Sequence, residues 1–344
     1  MKKKKKKKII VLVILTLLLI GGGIFSYFYF NKGTVALPKV KTRNLKIVDL
    51  KSNERPIAVM IDNNVGNESH AGLQDSYINY EIIVEGGLTR IMAVFKDKDV
   101  DLIGPVRSSR HYFLDYALEN DALYAHYGWS TFAQNDIKSL GVDNLNGITN
   151  APNAYWRDNN IAAPHNVFTS TAKIYEQAKI LKYNTKSEDW LLLNYSFDEV
   201  SLAFKEDDTN NDDKSIVANK VVIPYSNSQT RSYQYDADKK VYLRFMNNKP
   251  HMDKTTREQL YYKNIIIEQV ENSDLDSEGR QDLNTVSSGS GYYITNGYAK
   301  EIKWTKATRS GKIKYTYLDG SKVKVNDGNT FIQVQPVNFS TSFE

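Results

Sequence analysis

PIAVMIDNN, Pro56 to Asn64, is an unbroken apolar run closed by an acid and two amides. It is too short for an ordinary helix and shows no alternation. That pattern is expected of a strand buried on both faces, with a turn at Asp62-Asn63-Asn64. Downstream, Ile82-Ile83-Val84 and Ile91 to Phe95 read as strands on either side of Gly86-Gly87, and Leu102-Ile103 as a short strand stopped by Gly104-Pro105. Ala71 to Tyr80 reads as a short helix. Tyr112, Phe113, Tyr116 and Ala117 recur at helical spacing, which predicts a helix over Ser109 to Glu119 capped by Ser108 or Ser109. Ala122 to Tyr127 is a further expected strand; Thr131 to Leu140, closed by Gly141, and Ser170 to Leu181 are expected helices. Strands alternating with helices predict an α/β domain over 55–205, a central sheet with flanking helices.

Glu206 to Lys214, EDDTNNDDK, has no apolar residue and marks an acidic polar linker over 206–218. Beyond it short strands dominate, among them Val221 to Ile223, Val241 to Phe245, Ile265 to Val270, Gly291 to Thr295, Ala299 to Trp304 and Thr330 to Gln335. Asn296-Gly297, Asp319-Gly320 and Asp327-Gly328 supply hairpin turns. Residues 219–338 are therefore expected to form a mostly antiparallel all-β domain.

The 344 residues carry a formal charge of +5, but Lys2 to Lys8 hold seven of the 45 basic residues. Without them 38 basic face 40 acidic residues, a balance of −2. The body is not a polycation, which argues against a nucleic-acid partner. Residues 1–8 read as a cytoplasmic basic tail. The uncharged segment 9–30 is long enough, at ~1.5 Å per residue, to span a bilayer as a single transmembrane signal-anchor. Residues 31–54 read as a stalk, and the positive-inside rule puts the body on the extracytoplasmic side of the cell membrane. A cleaved signal peptide is the competing reading, because the apolar stretch before Gly21 is short; no small-x-small cleavage site follows it. There is no cysteine, so no disulfide, thiolate metal site or acylated cysteine.

GPVRSSR, Gly104 to Arg110, puts two arginines beside an expected helix start, where the macrodipole penalises cations by about 0.3–1 kcal/mol each. Arg90 precedes another strand. Arg90, Arg107 and Arg110, with Ser108 at the helix start, are candidates for an anion site, since guanidinium forks match phosphate oxygens. The alternative is internal pairing with Glu81, Glu85 or Asp115. Glu81 and Glu85 flank a core strand, as arginine partners, bases or metal-proximal groups. Asp62 stands at the carboxyl end of the first strand, where open α/β sheets collect ligand groups, or serves only the turn. The loop-like stretch Tyr155 to Phe168 gathers Trp156, Arg157, Asp158, His165 and Asn166, either a binding loop or a loop pinned by Trp156. His126 reads as a satisfied core histidine, and His251-Met252-Asp253 is too sparse for a metal site. No phosphate-binding glycine loop, nucleophile elbow or His-Glu-x-x-His helix is present. No cofactor is expected.

RPIAVMIDN, YEIIVEGGLTRIMAVF, IGPVRSSRHYFLDYA, WRD with APHN, PHMD and GSGYYITNGYAKEIKWTK, in that order, resemble the YerB-like lipoprotein family over about Arg55 to Pro336. The resemblance implies an exported bacterial envelope protein with two conserved domains of unknown function. It departs at the N-terminus, where a glycine-rich anchor replaces the lipobox cysteine. The first domain is more faintly similar to the LytR-CpsA-Psr enzymes, which move glycopolymers from a polyprenyl pyrophosphate to the cell wall. That similarity implies Arg107 or Arg110 on the pyrophosphate, Arg157 as a substitute for a missing arginine-rich helix, and Asp62 or Glu85 near a magnesium ion. Of the two expectations, a membrane-tethered binding or scaffolding module for wall polymer, lipid-linked precursor or another envelope protein is preferred to the transferase, because no nucleophile or base is evident.

Overall fold

The computed structural model describes residues 44–204 and 214–344. The expected basic tail, the membrane segment 9–30 and most of the stalk lie outside the described residues, as does most of the linker. Among the described residues no helix is long and apolar enough to cross a membrane.

The first half runs β1 (Ile57–Asp62), β2 (Ile78–Ile83), β3 (Thr89–Phe95), α1 (Phe113–Glu119), β4 (Leu123–His126), α2 (Thr131–Leu140), β5 (Asn144–Asn146), β6 (Tyr155–Arg157), β7 (Val167–Thr169) and α3 (Thr171–Ile180). The second half is strands throughout: β8 (Ile216–Val217), β9 (Lys220–Ser226), β10 (Gln229–Asp236), β11 (Val241–Met246), β12 (Lys249–Pro250), β13 (Tyr261–Tyr262), β14 (Asn264–Val270), β15 (Asn272–Asp274), β16 (Gln281–Leu283), β17 (Ser288–Thr295), β18 (Tyr298–Thr305), β19 (Lys314–Tyr317), β20 (Thr330–Pro336) and β21 (Ser342–Phe343).

β1 is buried on both faces, as its unbroken apolar run requires, and so are β2 and β3. They lie in a sheet ordered β19-β18-β17-β14-β20-β2-β3-β1-β4-β5. β3 pairs antiparallel with β1 and β2, and β4 lies parallel to β1. β20 runs parallel to both β2 and β14, so one sheet crosses the position of the expected linker and joins the two halves of the sequence. The second half is thus not wholly antiparallel. A second sheet, β12-β11-β10-β9-β21, alternates inward and outward residues, with Val221, Ile223 and Tyr225 of β9 buried. It covers one face of the central sheet: Tyr225 Oη donates to the Glu81 carbonyl at 2.9 Å. The opposite face carries α1, whose Tyr116 ring packs 4.9 Å from that of Tyr80.

Ser130 and Ser170 cap α2 and α3 by accepting the Ala133 and Lys173 N–H groups, and Gly141 closes α2 at φ 64°. Three local expectations are corrected. Ala71 to Tyr80 holds only a single 3-10 turn, Leu73–Asp75, before β2, because Ile78, Tyr80 and Ile82 are drawn into the sheet. The helix expected from Ser109 begins at Phe113 with no side-chain cap, since Arg107 to Ser109 run extended, bonding to Met60 and Gly128. Leu102-Ile103 makes a lone bridge from Ile103 to Thr169 rather than a strand.

Candidate anion site at the ends of β1 and β3

Gly104 sets the path of the arginine segment. Its φ is +152°, and a Cβ there would lie 2.8 Å from Phe168 Cδ1 and 2.9 Å from the Val167 carbonyl oxygen. Only glycine passes this close to β7 without displacing it. The chain then runs along β1, with Asp62 N–H donating to the Pro105 carbonyl and Arg107 N–H to that of Met60. This lays Arg107 beside the end of β1. Asp62 and Arg90 are cross-strand partners, so their side chains leave the same face of the sheet.

Three guanidiniums converge here. Arg90 is 6% exposed, and its Nη1 donates to the Ser108 carbonyl at 2.6 Å. Its Nε is buried without a hydrogen-bond partner. Burial, and then the repulsion of Arg110 and Arg107, lowers its pKa to about 10. Arg107 Nε lies 3.1 Å from Asp62 Oδ2, within ion-pair range but off the line of a hydrogen bond. Arg110 grips Glu85 with Nε at 2.5 Å and Nη2 at 2.9 Å. Burial raises the Glu85 carboxyl, but the Arg110 hydrogen bond and charge outweigh it and hold its pKa below the usual value. Three cations therefore face two carboxylates, and the most buried cation has no direct acidic partner.

The β6–β7 hairpin supplies the far wall. His165 Nδ1 sits 2.7 Å from Asp62 Oδ2, and Arg107 Nη1 donates to the Pro164 carbonyl at 3.4 Å. Asp62 Oδ1 accepts the Asn64 N–H at 2.9 Å, so this residue serves both the turn and the site. Arg157 is one step away: Nη1 donates to Asn166 Oδ1 at 2.6 Å, and its guanidinium lies 5.1 Å from the Tyr127 ring. Tyr127 is in turn bonded to Arg107 and Ser108. Asp158 caps its own turn by accepting from Asn160, Trp156 pairs with Phe168 across the hairpin, and buried Asn166 ties the loop ends together. These three shape the loop.

Glu81 is not part of this site, and neither is Asp115. Glu81 leaves the other face, toward the second sheet, where Oε1 accepts from Arg231 Nε and Oε2 from Arg244 Nη2, both at 2.6 Å. All three side chains are fully buried. Burial raises the Glu81 carboxyl, but the two guanidiniums outweigh it and set its pKa at about 2. Arg244 Nε donates to His251 Nδ1 at 3.0 Å, the two imidazoles meet at 2.8 Å, and His70 Nε2 lies 2.6 Å from the Asp62 carbonyl. Because arginine only donates, the tautomers follow: His251 Nε2–H donates to His70 Nδ1, and His70 Nε2–H donates to Asp62. Burial lowers the His70 pKa to about 4 and that of His251 well below its usual value, so both imidazoles are neutral. A directed chain of hydrogen bonds thus runs from the buried carboxylate to the backbone of the candidate site. Asp115 pairs instead with Arg309. His126 is buried and bonded to the Gly128 carbonyl.

The signal for Arg244 lay in the sequence as a cation on the inward face of an otherwise apolar alternation in β11; Arg231, among the polar residues of β10, gave none. A magnesium ion fits poorly beside Asp62 or Glu85, since His165, Asn64 and Arg107 surround the first and Arg110 takes both oxygens of the second. Among the described residues no cluster of three or more histidines and acids is placed to hold a metal. Next to Arg110 in the chain, His111 joins Asn272, Asp282, Asn284 and Thr285 in lining an open cavity of about 670 Å³.

Residues 44–184 match the family described as the N-terminal domain of a protein of unknown function (DUF3048), and residues 221–332 match its C-terminal domain. The chain is 29% identical over 301 residues to a Bacillus subtilis (strain 168) protein described as "Putative lipoprotein YerB", covering 87% of this chain and 86% of that one. The crystal structure of Bacillus subtilis YerB superposes with a TM-score of 0.73 at 26% identity, over 87% of this chain and 99% of that one. Two domain matches in order, with a shared fold along nearly the whole relative, place this chain in the YerB-like family, whose two conserved domains are described as of unknown function.

Proposed function

We propose that the chain is a membrane-associated extracytoplasmic module of the cell envelope that binds a phosphate-bearing ligand, lipid-linked precursor or wall polymer, at Arg90, Arg107 and Arg110. The observation that carries this reading is the Arg90 guanidinium: buried, held between two other arginines, with its Nε unpartnered. A buried cation without an acid beside it is expensive, and an arriving anion offsets that cost. The description of YerB as a lipoprotein supports an envelope location. The cavity beside His111 supplies room for hydroxyl- and amide-bearing parts of a larger ligand.

Titration calorimetry with inorganic pyrophosphate tests the reading on the full chain. Each lost charge-assisted bond contributes about 1.5–3 kcal/mol, so Arg107→Ala weakens binding by roughly 10- to 150-fold. Arg257→Ala, a change of the same charge at an exposed ion pair, leaves binding unchanged. No heat at millimolar pyrophosphate, or equal loss in both variants, refutes the site. A short prenyl pyrophosphate and a phosphodiester-linked glycan, compared with pyrophosphate, separate a lipid carrier from a wall polymer.

A further inference from the structure

The Asp62–His165 pair gives the site more than affinity. Asp62 is 3% exposed at its side chain, while the His165 side chain keeps 32% of its surface in solvent. The carboxylate accepts only, so the imidazole Nδ1 bonded to Oδ2 carries the hydrogen and Nε2 presents a lone pair. Among the described residues no group bonds Nε2. The same Oδ2 lies against Arg107, so imidazole and guanidinium are held side by side. Asp62 is fixed in turn by the Asn64 N–H, and its carbonyl is the terminus of the His251–His70 chain. An acid that orients a histidine whose outer nitrogen is free, next to cations suited to phosphoryl oxygens, is an arrangement for activating water.

We propose that His165 is the general base of a phosphate-ester or phosphoanhydride hydrolysis carried out on the anion bound by Arg90, Arg107 and Arg110. This rests on the anion-site reading above. Water attacks phosphorus as His165 Nε2 takes its proton. The new oxygen–phosphorus bond forms while the bond to the bridging oxygen breaks, and that oxygen leaves with the electron pair. The imidazolium then returns its proton to the leaving oxygen. Arginines beside the phosphorus hold the charge that grows on its non-bridging oxygens. Asp62 is a positioning residue that fixes the tautomer and supports the imidazolium.

The test uses the full chain with inorganic pyrophosphate and p-nitrophenyl phosphate, following phosphate and nitrophenol release beside calorimetric binding. His165→Gln is expected to lower turnover about 100- to 10,000-fold while the pyrophosphate Kd stays within about twofold. His165→Ala, with the ring removed from a half-exposed position, is expected to regain turnover when imidazole is added, which a purely structural histidine would not show. If the wild-type chain binds pyrophosphate but releases no more product than His165→Gln, or imidazole restores nothing, the base assignment is overturned and the binding site stands. If pyrophosphate does not bind at all, both readings fall together.

Discussion

Replacing Arg244 with methionine probes the buried core on which the candidate site leans. The substitution keeps an apolar chain near the Phe331 ring, which the guanidinium overlies at 4.3 Å. It removes the bond to Glu81 Oε2, strands His251 Nδ1 and leaves the Tyr233 hydroxyl with the Gln333 amide alone. Breaking a buried pair by removing one partner costs about 3–5 kcal/mol. With a urea slope of ~3 kcal/mol/M, the unfolding midpoint at pH 7 falls by about 1–1.7 M. The acid limb gives an independent reading. Glu81 titrates at about 2 in the folded protein, below the unfolded carboxyl value of ~4.3. Its contribution, roughly 3 kcal/mol, is therefore fully present above the unfolded value and is lost as pH falls through the folded one. In Arg244→Met the depression shrinks, so that contribution is smaller and its loss on acidification is complete at a higher pH. A triple variant, Glu81→Met with Arg231→Met and Arg244→Met, is expected to be more stable than Arg244→Met alone, because no charge is left unpaired. A single variant within about 1 kcal/mol of wild type, with an unmoved acid limb, would refute the reasoning.

Two further outcomes follow from other buried groups. Burial, reinforced by Glu119, raises the Glu268 pKa to about 7, above the unfolded value of ~4.3, so stability falls as pH rises between those values. Glu268→Gln is expected to flatten that fall, read as melting temperature against pH from 4.5 to 8; an unchanged profile would contradict it. Gly104→Ala forces a methyl group against Phe168 and Val167, costing about 1–3 kcal/mol and weakening pyrophosphate binding by shifting Arg107. Full affinity in a destabilised variant would show that the segment's path does not set the site.

The long strands were legible where one physical signal dominated. β1 announced itself by an apolar run that leaves no polar face, and α2 by a closing glycine placed where the structure has it. Ala71 to Tyr80 misled because its apolar residues suit either period, and pairing with β20, some 250 residues away, decides the matter. The arginine segment was recognised but not its conformation: Ser108 and Ser109 suit a helix cap, yet their backbone is claimed by neighbouring chain segments. Of the two acids, Glu85 just after β2 meets Arg110 as the sequence allowed, whereas the partners of Glu81, inside β2, come from the second half. Strand alternation places Thr89 and Arg90 on opposite faces, and Thr89 bonds Glu81 while Arg90 faces the site. Nothing local in a sequence says which distant cation will lie over a given face.

β20, Thr330–Pro336, occupies the middle of the central sheet although it comes near the end of the chain. During synthesis β2 and β14, each paired on one side with β3 and β17, must wait for it with the other edge a bare row of amides and carbonyls. The ribosome therefore delivers the keystone last, and any product shortened before residue 330 keeps two open seams prone to intermolecular pairing. The two sequence domains are consequently poor units to express apart: the N-terminal one ends at an exposed β2, and the C-terminal one retains a β20 with one side unclaimed.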